Sequence, residues 1–271
     1  MLPKTKDVLD LLEEIAPARL AETWDNPGLQ VGSYSQEIMK IFMALDPTLK
    51  ALRSASDHHA QLLLTHHPLI FSPLSQLDTN VYPGNVISET VKRGISIVAA
   101  HTNLDVAAGG INDILSDLLG LQHTEVLEET AGMDGVGMGR IGELPKPKTL
   151  LSIINDIQRI FGSEKLRLVA HQDVRIHRIA VVGGSGGGLV ARAFEKGADL
   201  LISGDIGHHH ALMAESLGIA LIDAGHFHTE KTAFSSFAER LRGMAADLGW
   251  EVVVETHKDE TDPMCDLMKC G

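Results

Sequence analysis

Three short segments concentrate the side chains that can bind metal or move protons. Thr65-His66-His67-Pro68 follows the apolar run Leu62 to Leu64, and His101-Thr102-Asn103-Leu104-Asp105 follows ISIVAA. Asp223-Ala224-Gly225-His226-Phe227-His228-Thr229-Glu230 follows ALI. Neighbouring residues of a strand point to opposite faces, so His66 and His67 can serve one locality only beyond the strand end. Pro68 restricts His67 to extended backbone, which fixes its approach. His226 and Glu230 stand four apart at the mouth of a helix and so share a face. A helix start also tolerates the carboxylate charge. Asp105 supplies a second carboxylate. His66, His67, Asp105, His226 and Glu230 together exceed one four-coordinate site. They suit two metals sharing a bridging carboxylate and a water, roughly 3.5–4 Å apart. Mixed nitrogen and oxygen ligation favours Zn, Mn, Fe, Ni or Co over Ca. His101, four residues before Asp105, is left over from this set and suits proton transfer. Each feature has a plainer reading. A strand-end histidine can be a hydrogen-bonded structural residue, an aspartate after a strand can cap a helix, and His101 can hold a ligand's geometry. The coincidence at three strand ends favours metal.

The intervening chain supplies elements that would place these segments together. Apolar runs at Ile38–Leu45, Gln61–Thr65 and Ile95–Ala100 alternate with helical patterns at Val8–Ile15, Thr48–His59, Asn85–Lys92 and Ile111–Leu119. Such alternation marks a largely parallel sheet covered on both faces, whose ligands gather at strand carboxyl ends. Glu125 to Lys148 is rich in glycine and acid and reads as a connector with short strands. The alternation then resumes: helix Leu150–Phe161, strands Leu166–Ala170 and Ile176–Val182, and the glycine cluster GGSGGG (Gly183 to Gly188). Next come helix Leu189–Lys196, strand Leu200–Ser203, helix His210–Leu217, strand Ala220–Ala224, helix Thr229–Leu248 and strand Trp250–Glu255. The expected class is α/β, with two similar interlinked lobes, mainly parallel sheets and a dinuclear metal site at strand carboxyl ends between the lobes. Residues 1–125, completed by 226–271, form the first lobe and 126–225 the second. The glycine cluster resembles a phosphate-binding turn but lacks a P-loop lysine.

Composition narrows the function. The net charge of −13 argues against general nucleic-acid binding, which needs a cationic field. Two cysteines in 271 residues, Cys265 and Cys270, make no disulfide framework and suggest a cytoplasmic setting. No apolar run approaches the roughly 20 residues of a membrane helix.

The segments WDNPGLQVG, THHPLIF, AAHTNLD, GRIGEL, GGSGGG, SGDIGHHHA and DAGHFHTE resemble, in this order, the Nif-three-like proteins, also called GTP cyclohydrolase I type 2 homologues. The likeness runs from about Trp24 to Pro263, in the compact form without an inserted domain. It implies two divalent metal ions per chain on His66, His67, Asp105, His226 and Glu230. It places His101 and His209 as acid/base or ligand-orienting groups. His208 and His210 depart from the family pattern. The resemblance also implies a homohexamer and a GTP cyclohydrolase-like hydrolase, in which a metal-bound hydroxide attacks a nucleotide-type small molecule. The alternative is a non-catalytic metal-binding scaffold or chaperone acting through protein partners.

Overall fold

The structure is a computed structural model that describes residues 1–130, 132–133, 135–170 and 175–264. Cys265 and Cys270 lie outside the described residues. In chain order the elements are α1 (Thr5–Ile15), β1 (Gly28–Val31), β2 (Lys40–Ala44), α2 (Leu49–Asp57), β3 (Leu62–Thr65), α3 (Gly84–Arg93), β4 (Ser96–Ala99), α4 (Thr102–Val106) and α5 (Ile111–Leu118). There follow β5 (Gln122–Glu129), β6 (Gly137–Thr149), α6 (Leu150–Phe161), β7 (Arg167–Val169), β8 (Arg175–Ser185) and α7 (Val190–Glu195). The last are β9 (Leu200–Gly204), α8 (His208–Leu217), β10 (Ala220–Asp223), α9 (His226–Asp247) and β11 (Val253–Thr256). The chain divides into two compact units. One joins Met1–Leu104 to the chain from Phe234, and the other is Asp105–Ala233. The divisions fall inside α4 and α9.

The first unit holds a five-stranded sheet in the order β1-β4-β3-β2-β11. Three of its four pairings are parallel, and edge strand β1 runs antiparallel to β4. Phe42, Leu63 and Ile97 pack against Leu52 and Ala55 of α2 and Val86 of α3. The alternate residues Ile41, Met43, Leu62, Leu64 and Val98 are buried as well. A sheet buried on both faces needs apolar residues at every position, which is why these strands read as unbroken hydrophobic runs. The Thr48 hydroxyl accepts the Ala51 amide at 3.0 Å and starts α2. Gly94, left-handed at φ 62°, ends α3.

The second unit holds a six-stranded sheet in the order β5-β6-β8-β9-β10-β7. Here β8-β9 and β9-β10 are parallel, and the remaining pairs are antiparallel. The parallel character expected of both sheets is therefore concentrated at the centre of this one. The stretch read as a connector is the reason. It forms two long strands, β5 and β6, separated by only a few residues, and they pair antiparallel. Leu127, Ile141, Val182, Leu201 and Leu221 make the core with Val190, Ala193 and Ala214.

Candidate metal centre

In the first unit the parallel ladder ends where the histidines begin. β3 stops at Thr65, yet the His66 and His67 amides still donate to Ala44 and Leu45 carbonyls at 3.3 and 3.0 Å. The Thr65 hydroxyl donates to the His67 carbonyl at 2.7 Å and turns the chain. The strand's alternation is thereby broken, and the two imidazoles come within 5.2 Å of each other, centre to centre. His101 follows β4, with its amide donating to Asn103 Oδ1 at 2.9 Å. One ligand atom from each of His66, His67 and His101 lies within 4.8 Å of the others.

Oxygen atoms hold the Nδ1 side of all three rings. His66 Nδ1 meets the Ala100 carbonyl at 2.8 Å, His67 Nδ1 meets Asp46 Oδ1 at 2.7 Å, and His101 Nδ1 meets Asp25 Oδ1 at 2.8 Å. A carbonyl or an ionised carboxylate only accepts, so each Nδ1 carries the proton and each Nε2 keeps the lone pair. Asp25 also accepts from the Thr102 amide at 3.1 Å and from the Thr102 hydroxyl. Burial pushes the Asp25 carboxyl up. The hydrogen bonds from His101 and Thr102 outweigh burial and hold its pKa down at about 2.

In the second unit, α9 opens at His226 and carries Glu230 in its first turn. His226 Nε2 stands 2.8 Å from Glu230 Oε2, while its Nδ1 meets Asp205 Oδ2 at 2.7 Å. An imidazole between two carboxylates is balanced by a second proton or by a cation shared between Nε2 and Glu230. The surrounding glycines explain the closeness. A Cβ on Gly184 would lie 2.0 Å from Glu230 Oε1, and one on Gly204 would lie 2.4 Å from the His226 amide nitrogen. The Gly184 amide donates to Thr229 Oγ1 at 3.1 Å, and the Gly183 amide to Asn112 Oδ1 at 2.9 Å. Asn112 in turn donates to the Asp105 carbonyl at 2.9 Å. The start of the glycine cluster thus lies against the Glu230 carboxylate, and two of its amides already serve side chains.

Sequence reasoning located the five proposed ligands and His101 but missed the aspartates that orient the rings. Asp25, Asp46 and Asp205 each follow or precede a strand among turn residues, where an aspartate ordinarily signals a turn. Asp223, grouped by sequence with the third segment, is structural. It bonds Arg167, the Ile206 amide at 3.2 Å and the Gly225 amide at 3.0 Å. It thereby ties down the loops that carry Asp205 and His226. His208, His209 and His210 form the first turn of α8. The first two are exposed, and the His210 ring lies against Gly187.

The donor set fits a divalent transition metal. Imidazole nitrogens with the opposite ring nitrogen held by oxygen, accompanied by buried carboxylates, are the usual preparation of such ligands. Among the described residues, no helix is long and apolar enough to cross a membrane. The family model Duf34/NIF3 (NGG1p interacting factor 3) matches residues 3–263. A Clostridium perfringens protein named GTP cyclohydrolase 1 type 2 homolog is 36% identical over 239 residues, covering 88% of this chain and 91% of its own. A Lactococcus lactis protein of the same name is 35% identical, covering 97% of this chain and 100% of its own. The crystal structure of a Bacillus cereus protein related to NIF3 superposes with a TM-score of 0.92 at 25% identity, over 98% of this chain and 100% of that one. The strands, the histidine segments in their expected order and a match over nearly the whole length lead to one conclusion: this chain belongs to the Duf34/NIF3 family.

Proposed function

We propose that the chain is a metal-dependent hydrolase acting on a nucleotide-type substrate. His66, His67, Asp105, His226 and Glu230 would hold two divalent ions. The observation that carries this reading is the common treatment of His66, His67, His101 and His226, each with Nδ1 held by an oxygen. That arrangement prepares Nε2 for a cation or a proton. Ions so held supply Lewis acidity toward an anionic substrate and make a coordinated water acidic enough to react near neutral pH. The residues then have separate tasks. Ala100 and the aspartates Asp46 and Asp205 fix ring orientation. Glu230, seated against Gly184, keeps its carboxylate in place. His101, backed by Asp25, accepts and returns a proton at Nε2. The relatives' name points to a purine nucleotide, and a ring-opening hydrolysis like that of a GTP cyclohydrolase is the specific form of the proposal.

Metal analysis tests the ligand set. Wild-type protein loaded with Zn, Mn, Fe, Ni or Co should hold two ions per chain, and His67→Ala and Glu230→Ala well below that. Retention of both ions in both variants refutes the assignment. Screening the loaded protein against nucleotides then separates enzyme from scaffold, since a scaffold turns over none of them. We also read the assembly as a ring of six, following the family resemblance. Light scattering that gives a stable monomer at micromolar concentration refutes it.

A further inference from the structure

We propose that Trp24 and Phe71 form a stacking rim beside His101 that receives a planar heteroaromatic ring. This rests on the reading of the substrate as nucleotide-type, and it names the part of that substrate that the first unit grips.

Aromatic residues make up only 4% of the chain, and most phenylalanines are used inside. Phe42, Phe161, Phe227, Phe234 and Phe237 are all buried. Trp24 and Phe71, in contrast, are 59% and 48% exposed, and both stand against the same imidazole. Trp24 lies 5.9 Å from the His101 ring centre with planes at 71°, and Phe71 lies 5.8 Å away at 90°. Neither ring is stacked on the imidazole, so His101 does not occupy them as a parallel partner.

Hydrogen bonds hold the backbone that carries these two rings. Asn26 donates from Nδ2 to the Ile70 carbonyl at 2.7 Å. The Ile70 amide donates to Gln30 Oε1 at 3.1 Å, and Gln30 Nε2 donates back to the Asn26 carbonyl at 2.7 Å. Both polar groups of Ile70, the residue before Phe71, are thus held by the loop that follows Trp24. Asp25, between Trp24 and Asn26, holds His101 and Thr102. One stretch, Trp24 to Gln30, therefore carries the indole, holds the backbone just before Phe71 and binds the His101 imidazole. Covering the two rings on binding would add apolar burial. A nucleobase-like ring offers two π faces and gains from aromatic side chains largely whatever its substituents. A ring so held would bring its heteroatoms beside the His101 imidazole. A sugar phosphate offers no comparable face.

Calorimetric titration of the metal-loaded full chain tests the rim. The probes are guanosine monophosphate, adenosine monophosphate and flavin mononucleotide, with ribose 5-phosphate as the ring-free control. At least one planar probe should bind about 10-fold or more tightly than the control. Trp24→Ala and Phe71→Ala should each weaken that probe by about 10-fold, and Trp24→Phe by less than about threefold, since it keeps a π face. The control's affinity, the metal content and the oligomeric state should not change. The proposal is overturned if no planar probe outbinds ribose 5-phosphate, or if both alanine variants bind like the wild type. It is also overturned if the loss of affinity comes with a loss of metal or of subunit association, the latter meaning that the rings meet a second copy of the chain. A parallel titration of chelator-treated protein separates the two ideas. If no metal binds but the ring preference and its loss in the variants persist, the metal reading fails and the rim stands.

Discussion

Replacing Asp25 by asparagine tests whether a buried carboxylate organises the first histidine cluster. In the native protein this carboxyl is displaced from an ordinary 3.8 to about 2. Its side chain is fully buried, so the displacement carries over to stability with little solvent discount. Nearly two pH units correspond to about 2 kcal/mol at neutral pH. The sign follows from a depressed folded value. The contribution is complete above the ordinary pKa and is lost as pH falls through about 2, with roughly half gone by pH 3. Asparagine keeps one oxygen that can accept from His101 Nδ1. Its amide group, however, faces the Thr102 amide and hydroxyl with donors, so the charge and a good acceptor are lost together. Urea unfolding in the presence of a chelator, at pH 7, 5 and 3, reads the effect free of metal linkage. Asp25→Asn should be about 2 kcal/mol less stable than wild type at pH 7 and 5, with the gap near 1 kcal/mol at pH 3. Equal gaps at pH 7 and 3, or none at pH 7, would refute the reasoning.

Gly184→Ala should weaken metal binding by about 10- to 100-fold, because its Cβ would meet Glu230 Oε1 at 2.0 Å and its φ is +62°. Gly188→Ala, with open space around it, serves as the control and should match wild type in a metal titration. His101→Gln should keep full metal content and lose about 10²-fold in rate on any nucleotide the wild type hydrolyses. Loss of metal with the rate, or an unchanged rate, would show that His101 is not the proton carrier.

The parts of the fold that could be read from sequence are those buried on both faces. β2, β3 and β4 are continuous apolar runs because every residue meets a packed layer. β1 escaped notice because Gly28–Val31 sits in an Asn/Pro/Gly loop and is only half-buried along its length. β5 was hidden for a related reason. In QHTEVLEE only Val126 and Leu127 are buried, as expected of an edge strand wet on most of its surface. β6 was read as part of a connector with short strands, and Pro145 and Pro147 lie where its register shifts. The histidines proposed as ligands were legible because His66, His67, His101 and His226 all follow the ends of apolar runs, and that coincidence is more telling than any one of them alone. Asp25, Asp46 and Asp205 were not, because nothing in a sequence distinguishes an aspartate that turns the chain from one that also grips a distant ring.

The order of strands in the first unit has a consequence for biosynthesis. β2 pairs with β3 on one side and with β11 on the other, in the register Val253↔Lys40 to Thr256↔Met43. The whole second unit lies between those partners in the chain. During translation the second unit can complete its sheet while the first still waits for its last strand. Throughout that interval β2 presents an unpaired, strongly apolar edge, the kind of surface that recruits other chains. Ribosome-stalled or prematurely terminated products that lack residues 250–256 would therefore retain a folded second unit and aggregate through KIFMA, making the final strand a late safeguard against misassociation.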